Sequence, residues 1–293
     1  MELPALAGAG ENAGLEQIEA DFFNRLKLRN GTYKTTGRYR LDDVNALFFS
    51  LVASGKDVPL EILDVATSSG VAALRWFDSL RAQGMTARMT MSDLTMFAYL
   101  VTPLGWFTAL VDRSNVPLEF EIFERVVRGR VKKADLLTAR CIPILCARAF
   151  FRLFVARRSL RSRLVAGSGT EMSGGGSVIK LPLVASAVRR REDISLIEDD
   201  ILAENPKNLL GRFDAIRAAN ILQPVYFDQR TIRRAVTTLK KRLKGEGSRL
   251  IICRTDDEGR NNATIFCIRS GLFVVEARVG NGSEIEQLVL DTH

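Results

Sequence analysis

The sequence predicts an α/β fold: a Rossmann-like, doubly wound, mostly parallel sheet that ends in an antiparallel hairpin. Three observations predict it. Leu60 to Ala82 reads as a buried strand, a loop of small residues and an amphipathic helix. A second strand follows at Thr86 to Met91, which makes a β-α-β unit with parallel strands and a right-handed crossover. After an interruption the alternation resumes near residue 181. It closes on two apolar runs, Ala263–Arg269 and Phe273–Val279, that meet at Ser270-Gly271. A chain of 293 residues, 46% of them hydrophobic, can fill one enlarged α/β domain.

The elements follow in order. Leu15, Ile18, Phe22 and Leu26 fall at helical spacing, and Asn30-Gly31 ends that helix. Thr32 to Arg40 is a polar loop. A second helix runs from Leu41 to Ala53, with Asp42 and Asp43 at the positive end of its dipole. Residues 1–59 therefore read as an N-terminal helical cap, and 60–293 as the Rossmann-like domain with an insert at 94–177. The helix after the first strand carries Val71, Leu74, Phe77 and Leu80 on one face, and Gly84 closes it. Within the insert, Asp112-Arg113-Ser114-Asn115 is a turn between Phe107–Val111 and Leu118–Phe123. Asp135–Leu164 is helix-like, kinked or split at Pro143. Gly167–Ser177 reads as a flexible linker. A helix is expected at Leu181–Arg191, then strands at Ile194–Ile197 and Phe213–Asn220. A basic amphipathic helix at Asp228–Leu243 and a buried strand at Arg249–Arg254 complete the alternation.

Cys141, Cys146, Cys253 and Cys267 form no CxxC pair and read as reduced core residues of a cytoplasmic protein. The one histidine is His293, so no zinc site is expected. Residues 1–14 carry Glu2 and no long apolar run, so no secretory signal is expected there.

A strand, a small-residue loop and a helix start together make a cradle for a nucleotide-like ligand. Small side chains admit the backbone to the ligand, and free amides face it. The loop is Asp64-Val65-Ala66-Thr67-Ser68-Ser69-Gly70. The next strand ends at Asp93, where an acid in such folds takes ribose hydroxyls. A third strand ends at Asp199-Asp200-Ile201. All these positions fall at strand C-termini, where open α/β sheets bind ligands.

The loop resembles the acid-x-Gly-x-Gly-x-Gly motif of class I S-adenosylmethionine-dependent methyltransferases. Asp64 and Gly70 match; Ala66 and Ser68 stand where two glycines are expected. Phe213 to Leu222 is similar to that family's fourth-strand motif. Tyr226-Phe227-Asp228-Gln229, with Leu243-Lys244-Gly245-Glu246-Gly247 after it, is loosely similar to the chemotaxis-receptor methyltransferases. The resemblance covers residues 60–93 and 181–280. It implies S-adenosylmethionine as cofactor. Asp64, Ala66, Thr67, Ser68, Ser69 and Gly70 would line its methionine end. Asp93, with Leu94 behind it, would hold ribose and adenine. Asp200 would accept from the adenine amino group, with Ile201 on the ring and Asp199 as the register alternative. Asn220 and Ile221 would lie under the reactive methyl. The implied reaction is in-line methyl transfer, in which the protein mainly positions the two reactants.

No catalytic residue is assigned. With no histidine in the body of the chain, the acceptor is either a carboxylate or a group deprotonated by Asp, Glu, Tyr or Lys. Tyr226 and Gln223 are the acceptor-side candidates after the fourth strand. Tyr33 and Tyr39 are candidates on the Thr32–Arg40 loop, which reads either as a lid or as a surface connector. Asn220-Ile221-Leu222-Gln223-Pro224 lacks the Asn/Asp-Pro-Pro-aromatic tetrapeptide of base-methylating enzymes.

The net charge of +8 is unevenly placed. Between Arg125 and Arg163 stand twelve Lys/Arg and one acid, Asp135. Residues 135–164 read either as a cap helix packing on the enzyme or as an interfacial helix in peripheral contact with a membrane. Nucleic acid is disfavoured, because the aromatics lie within the apolar run and not among the arginines. The sequence thus reads as a methyltransferase acting on a small-molecule, lipid or protein-carboxylate acceptor. The alternative is a non-catalytic Rossmann-like scaffold that uses its basic segment to bind a membrane or a protein.

Overall fold

A computed structural model of the chain describes residues 18–23, 37–52, 58–112, 114–129, 141–154, 170–172, 176–203 and 208–292. Residues 18–23 are helical. The elements that follow are α1 (Asp42–Leu51), β1 (Leu60–Val65), α2 (Val71–Ala82), β2 (Ala87–Asp93), β3 (Phe97–Leu104), β4 (Phe107–Val111), β5 (Pro117–Ile122) and β6 (Arg125–Arg128). Next come α3 (Cys141–Phe154), β7 (Thr170–Met172), β8 (Gly176–Pro182), α4 (Ser186–Arg189), β9 (Ile194–Glu198) and β10 (Ala215–Ala219). The last are α5 (Gln229–Arg242), β11 (Arg249–Thr255), β12 (Asn261–Arg269), β13 (Leu272–Val279) and α6 (Glu286–Leu290). The chain divides into two compact units, one of Thr36–Met96 with Val184–His293 and one of Met1–Thr35 with Phe97–Leu183.

The first unit holds a seven-stranded sheet of order β13-β12-β11-β10-β1-β2-β9. β9, β2, β1, β10 and β11 run parallel, and β12 and β13 form an antiparallel hairpin at the edge. The strand order reverses between β1 and β10, which makes their carboxyl ends the switch point where such sheets bind ligands. Alternation along the strands sends Leu63 and Val65 to one face, with Ile216, Ala218, Leu250 and Ile252 beside them. Ile232, Val236 and Leu239 of α5 and Val289 of α6 cover that face. α5 starts where the Asp228 side chain accepts the Thr231 amide at 2.7 Å, an N-cap that satisfies one of its free donors. The opposite face meets α1 and α2 through Asn45, Phe48 and Trp76. Helices therefore lie on both faces, as the sequence predicts.

The second unit is a six-stranded antiparallel sheet of order β6-β5-β4-β3-β8-β7. One face packs Val101, Phe107, Ala109 and Phe120 against Ala147 and Phe151 of α3. The other packs Ala98, Leu110, Leu118 and Leu181 with Phe22.

This insert is richer in strands than the sequence suggests. β3 lies in a mostly apolar run, interrupted by Thr102, that gives no regular alternation to read, and it turns into β4 at Gly105-Trp106. Gly176–Pro182 is a strand, neither the end of a linker nor the start of a helix, because it pairs with β3 along six residues. The expected helix at Leu181–Arg191 shrinks to Ser186–Arg189, since Pro182 still belongs to the strand. The expected strand at Phe213–Asn220 is confined to Ala215–Ala219, with Phe213 making a lone bridge to Leu243. Pro143 neither kinks nor splits α3. It sits in the first turn, where its missing N–H has no intrahelical partner to lose. Cys253 and Cys267 are buried, but Cys146 is exposed and so is not a core residue.

Candidate functional site

The β1–α2 loop takes its shape from three residues with left-handed backbone: Ala66 at φ 54°, Ser68 at φ 61° and Gly70 at φ 83°. These are the three positions that carry glycine in the motif the loop resembles. Two of them hold side chains in a conformation that costs an ordinary residue about 1–2 kcal/mol. The surroundings fix that shape. The Thr67 amide donates to the Ser92 carbonyl at 3.0 Å, the Gly70 amide to the Thr67 carbonyl at 3.0 Å, and the Ala185 amide to the Ser69 carbonyl at 2.8 Å. Gly70 is needed for space as well as for φ. A Cβ there would stand 3.0 Å from a methyl of Val188 and 3.3 Å from the Met91 sulfur. Releasing the strain while accepting the entropy of glycine, Ala66→Gly and Ser68→Gly should each raise stability by up to about 1 kcal/mol, read from urea unfolding.

Asp93 is tied directly to this loop. Its Oδ2 accepts the Ser68 amide at 2.9 Å and its Oδ1 the Thr95 amide at 3.2 Å. The end of β9 joins the same edge, where the Asp199 amide donates to the Asp93 carbonyl at 3.0 Å. Asn220, at the end of β10, is also left-handed, with φ 57°. Its amide donates to the Cys253 carbonyl at 2.8 Å, and its Oδ1 accepts the Thr255 amide at 2.7 Å. The carboxyl ends of β1, β2, β9 and β10 thus bring together the loop, Asp93, Asp199-Asp200 and Asn220.

The other candidates divide. Asp64 points to the α1–α2 face, where the buried Arg217 guanidinium holds its carboxylate at 2.6 Å. Arg217 also donates to Asn45 Oδ1 at 2.9 Å and lies 4.5 Å over the Trp76 ring. Asp199 accepts two hydrogen bonds from buried Arg242, at 2.5 and 3.1 Å. Asp200 is exposed, and its Oδ1 accepts the Leu202 amide at 2.9 Å. Thr67 and Ser69 are buried, Leu94 is exposed, and Ile201 and Ile221 pack on the α5-side core. Gln223 is buried, and its carbonyl accepts the Tyr226 and Phe227 amides. Tyr226 and Tyr39 are exposed, the latter with the Arg75 guanidinium 5.2 Å from its ring. Tyr33 lies outside the described residues.

Sequence reasoning missed the cationic character of the ground beside Asp64. Arg40 sits there in electrostatic contact with Asp64, Arg217 and Cys253, and burial pulls its pKa down. Its Nε is buried and makes no hydrogen bond among the described residues. The Cys253 thiol is pushed up to about 12 by burial, so it stays protonated and is no nucleophile at neutral pH. The signal that could have found Arg217 is a cation in the middle of a buried parallel strand, which demands a partner.

The Thr67 and Ser92 hydroxyls at the loop are buried and without a partner among the described residues. With the left-handed backbone beside them, they fit a polar ligand laid along the edge.

No family model and no curated protein matches the sequence. Among solved structures, the chain is similar to the citrinin polyketide synthase CMeT domain, at 12% identity over 73% of this chain and 34% of that one, with a TM-score of 0.33. An O-methyltransferase family protein from Burkholderia thailandensis is 10% identical over 85% of this chain and 44% of that one, with a TM-score of 0.32. A Rhodobacter sphaeroides protein named as a Zn-dependent alcohol dehydrogenase is 13% identical over 85% of this chain and 57% of that one, also with a TM-score of 0.32. The chain thus spans between about a third and just over half of their lengths. Likenesses this weak do not bear on function, which has to be argued from the site.

Proposed function

We propose that the carboxyl edge of β1, β2, β9 and β10 binds S-adenosylmethionine, and that the chain transfers its methyl group to a small-molecule or lipid acceptor. The observation that carries this reading is the loop backbone. Ala66, Ser68 and Gly70, at the three positions where the motif carries glycine, all have left-handed backbone although two of them are not glycine. Strain held at one edge of a sheet, against residue preference, is the mark of a functional constraint. The cofactor, when bound, supplies an electrophilic methyl group. The chain's own part is to bind and orient. In this reading Asp93, which accepts the Ser68 and Thr95 amides, would take the ribose hydroxyls, and exposed Asp200 the adenine edge. Arg40 suits an anionic group of the cofactor or acceptor.

Calorimetry with S-adenosylhomocysteine tests the reading. Saturable binding is expected, weakened at least about tenfold by Asp93→Ala, the loss of one or two hydrogen bonds to a charged group. No heat at millimolar ligand, with the variant indistinguishable from the parent, would sink it. One observation favours the second reading, a scaffold without turnover: the Asp64 carboxylate is already committed to Arg217. Absence of binding would leave that reading standing.

A further inference from the structure

We propose that the outer face of α3 docks on an anionic lipid surface, lying flat in the headgroup region. This goes beyond the methyl-transfer reading and does not depend on it. α3 buries Ile144, Ala147 and Phe151 against the antiparallel sheet of its own unit. An ordinary surface helix would be polar on its other side. This one is not. At 3.6 residues per turn, Ile142, Leu145, Cys146, Ala149 and Leu153 share the opposite arc, and all are exposed. Ile142, Leu145 and Leu153 are 56%, 51% and 54% exposed.

Both borders of the arc suit a lipid interface. Arg148 and Arg152 flank it on one side, where cationic heads reach phosphates while their stems lie along apolar surface. On the other side, Phe150 leads to Trp106, 5.1 Å between ring centroids. Trp106 stacks on Phe123, again at 5.1 Å and with planes 14° apart, and both rings are partly or largely exposed. Tryptophan is at home where an apolar body meets a wet rim.

Charge selects the occupant. The segment from Arg125 to Arg163 holds twelve Lys/Arg and one acid, while the rest of the chain is net acidic. An apolar arc flanked by Arg148 and Arg152, in a stretch of sequence this rich in cations, is complementary to an anionic membrane surface. RNA would satisfy the arginines and leave the leucines in water. The helix has 14 residues, and among the described residues no helix is long and apolar enough to cross a membrane. With one face held on the sheet of its own unit, the helix would lie on the bilayer surface.

Co-sedimentation of the intact chain with vesicles tests this. Phosphatidylcholine vesicles are compared with vesicles that also contain phosphatidylserine, at low and high salt. Binding that requires phosphatidylserine and weakens with salt is expected. The double variant Leu145→Glu/Leu153→Glu should lower it at least about tenfold, because two buried leucines are lost from the interface. Both positions are exposed, so the variant should keep the parent's circular dichroism; Cys146→Glu serves as a second probe of the arc should it not. Brominated lipid should quench Trp106, since the other tryptophan, Trp76, is fully buried. No vesicle binding, equal binding by parent and arc variants, or binding to RNA homopolymer in place of vesicles would overturn the proposal.

Discussion

Arg217→Met should lower the unfolding free energy by about 3–5 kcal/mol, the usual cost of stranding one partner of a buried ion pair. The reasoning is local. Asp64 and Arg217 are register partners on adjacent parallel strands, and their side chains are 7% and 1% exposed. Removing the guanidinium leaves the buried Asp64 carboxylate without its hydrogen-bonded partner, with only the more distant charge of Arg40 to balance it. It also removes a donor to Asn45 and the cation over Trp76. Met fills much of the volume, so the loss is electrostatic and not a cavity. The double variant Asp64→Leu/Arg217→Met should recover part of the stability, because an apolar pair replaces the charged one, while partly buried Arg40 loses its carboxylate neighbour. Urea unfolding of the two variants checks both statements. A single-variant loss under about 1 kcal/mol would mean that the pair is not desolvated as described.

The second large effect separates Asp199 from Asp200. Asp199→Ala should cost about 3–5 kcal/mol, since Arg242 is fully buried at the end of α5 and has Asp199 as its carboxylate partner. Asp200→Ala should stay within about 0.5 kcal/mol of the parent, as an exposed position does. Ligand affinity should show the reverse pattern. Asp200→Ala should weaken S-adenosylhomocysteine binding, whereas any folded fraction of Asp199→Ala should bind much as the parent does. Chemical unfolding and calorimetry on the two variants measure both halves.

The same pair shows how far the sequence can be read. Two acids in a row after a strand both point to the sheet's carboxyl edge, and side chains alternate faces with a period of two. Which of them faces the core depends on where β9 ends, and the pattern leaves that open by one residue. The β-α-β unit was legible because strand, small loop and helix are neighbours in the chain. The Asp64–Arg217 pair was not, because it joins residues 153 apart and only sheet order makes them neighbours. β8 was hidden for a related reason. Its glycine-rich start looks like a linker, and its strand character comes from pairing with β3, from Thr102 opposite Ser177 to Phe97 opposite Pro182. The loop was legible as a run of small residues between a strand and a helix. Its left-handed path at Ala66 and Ser68 could not be, because nothing about alanine or serine announces a positive φ.

The claim that this edge holds an S-adenosylmethionine-like ligand is tested most directly by amide resonances. With S-adenosylhomocysteine added to the isotopically labelled chain, the Ser68, Gly70 and Thr95 amides should shift together and saturably. Amides of the antiparallel hairpin β12–β13 should stay still. An unchanged spectrum at millimolar ligand, or shifts that leave residues 66–70 untouched, would contradict the account.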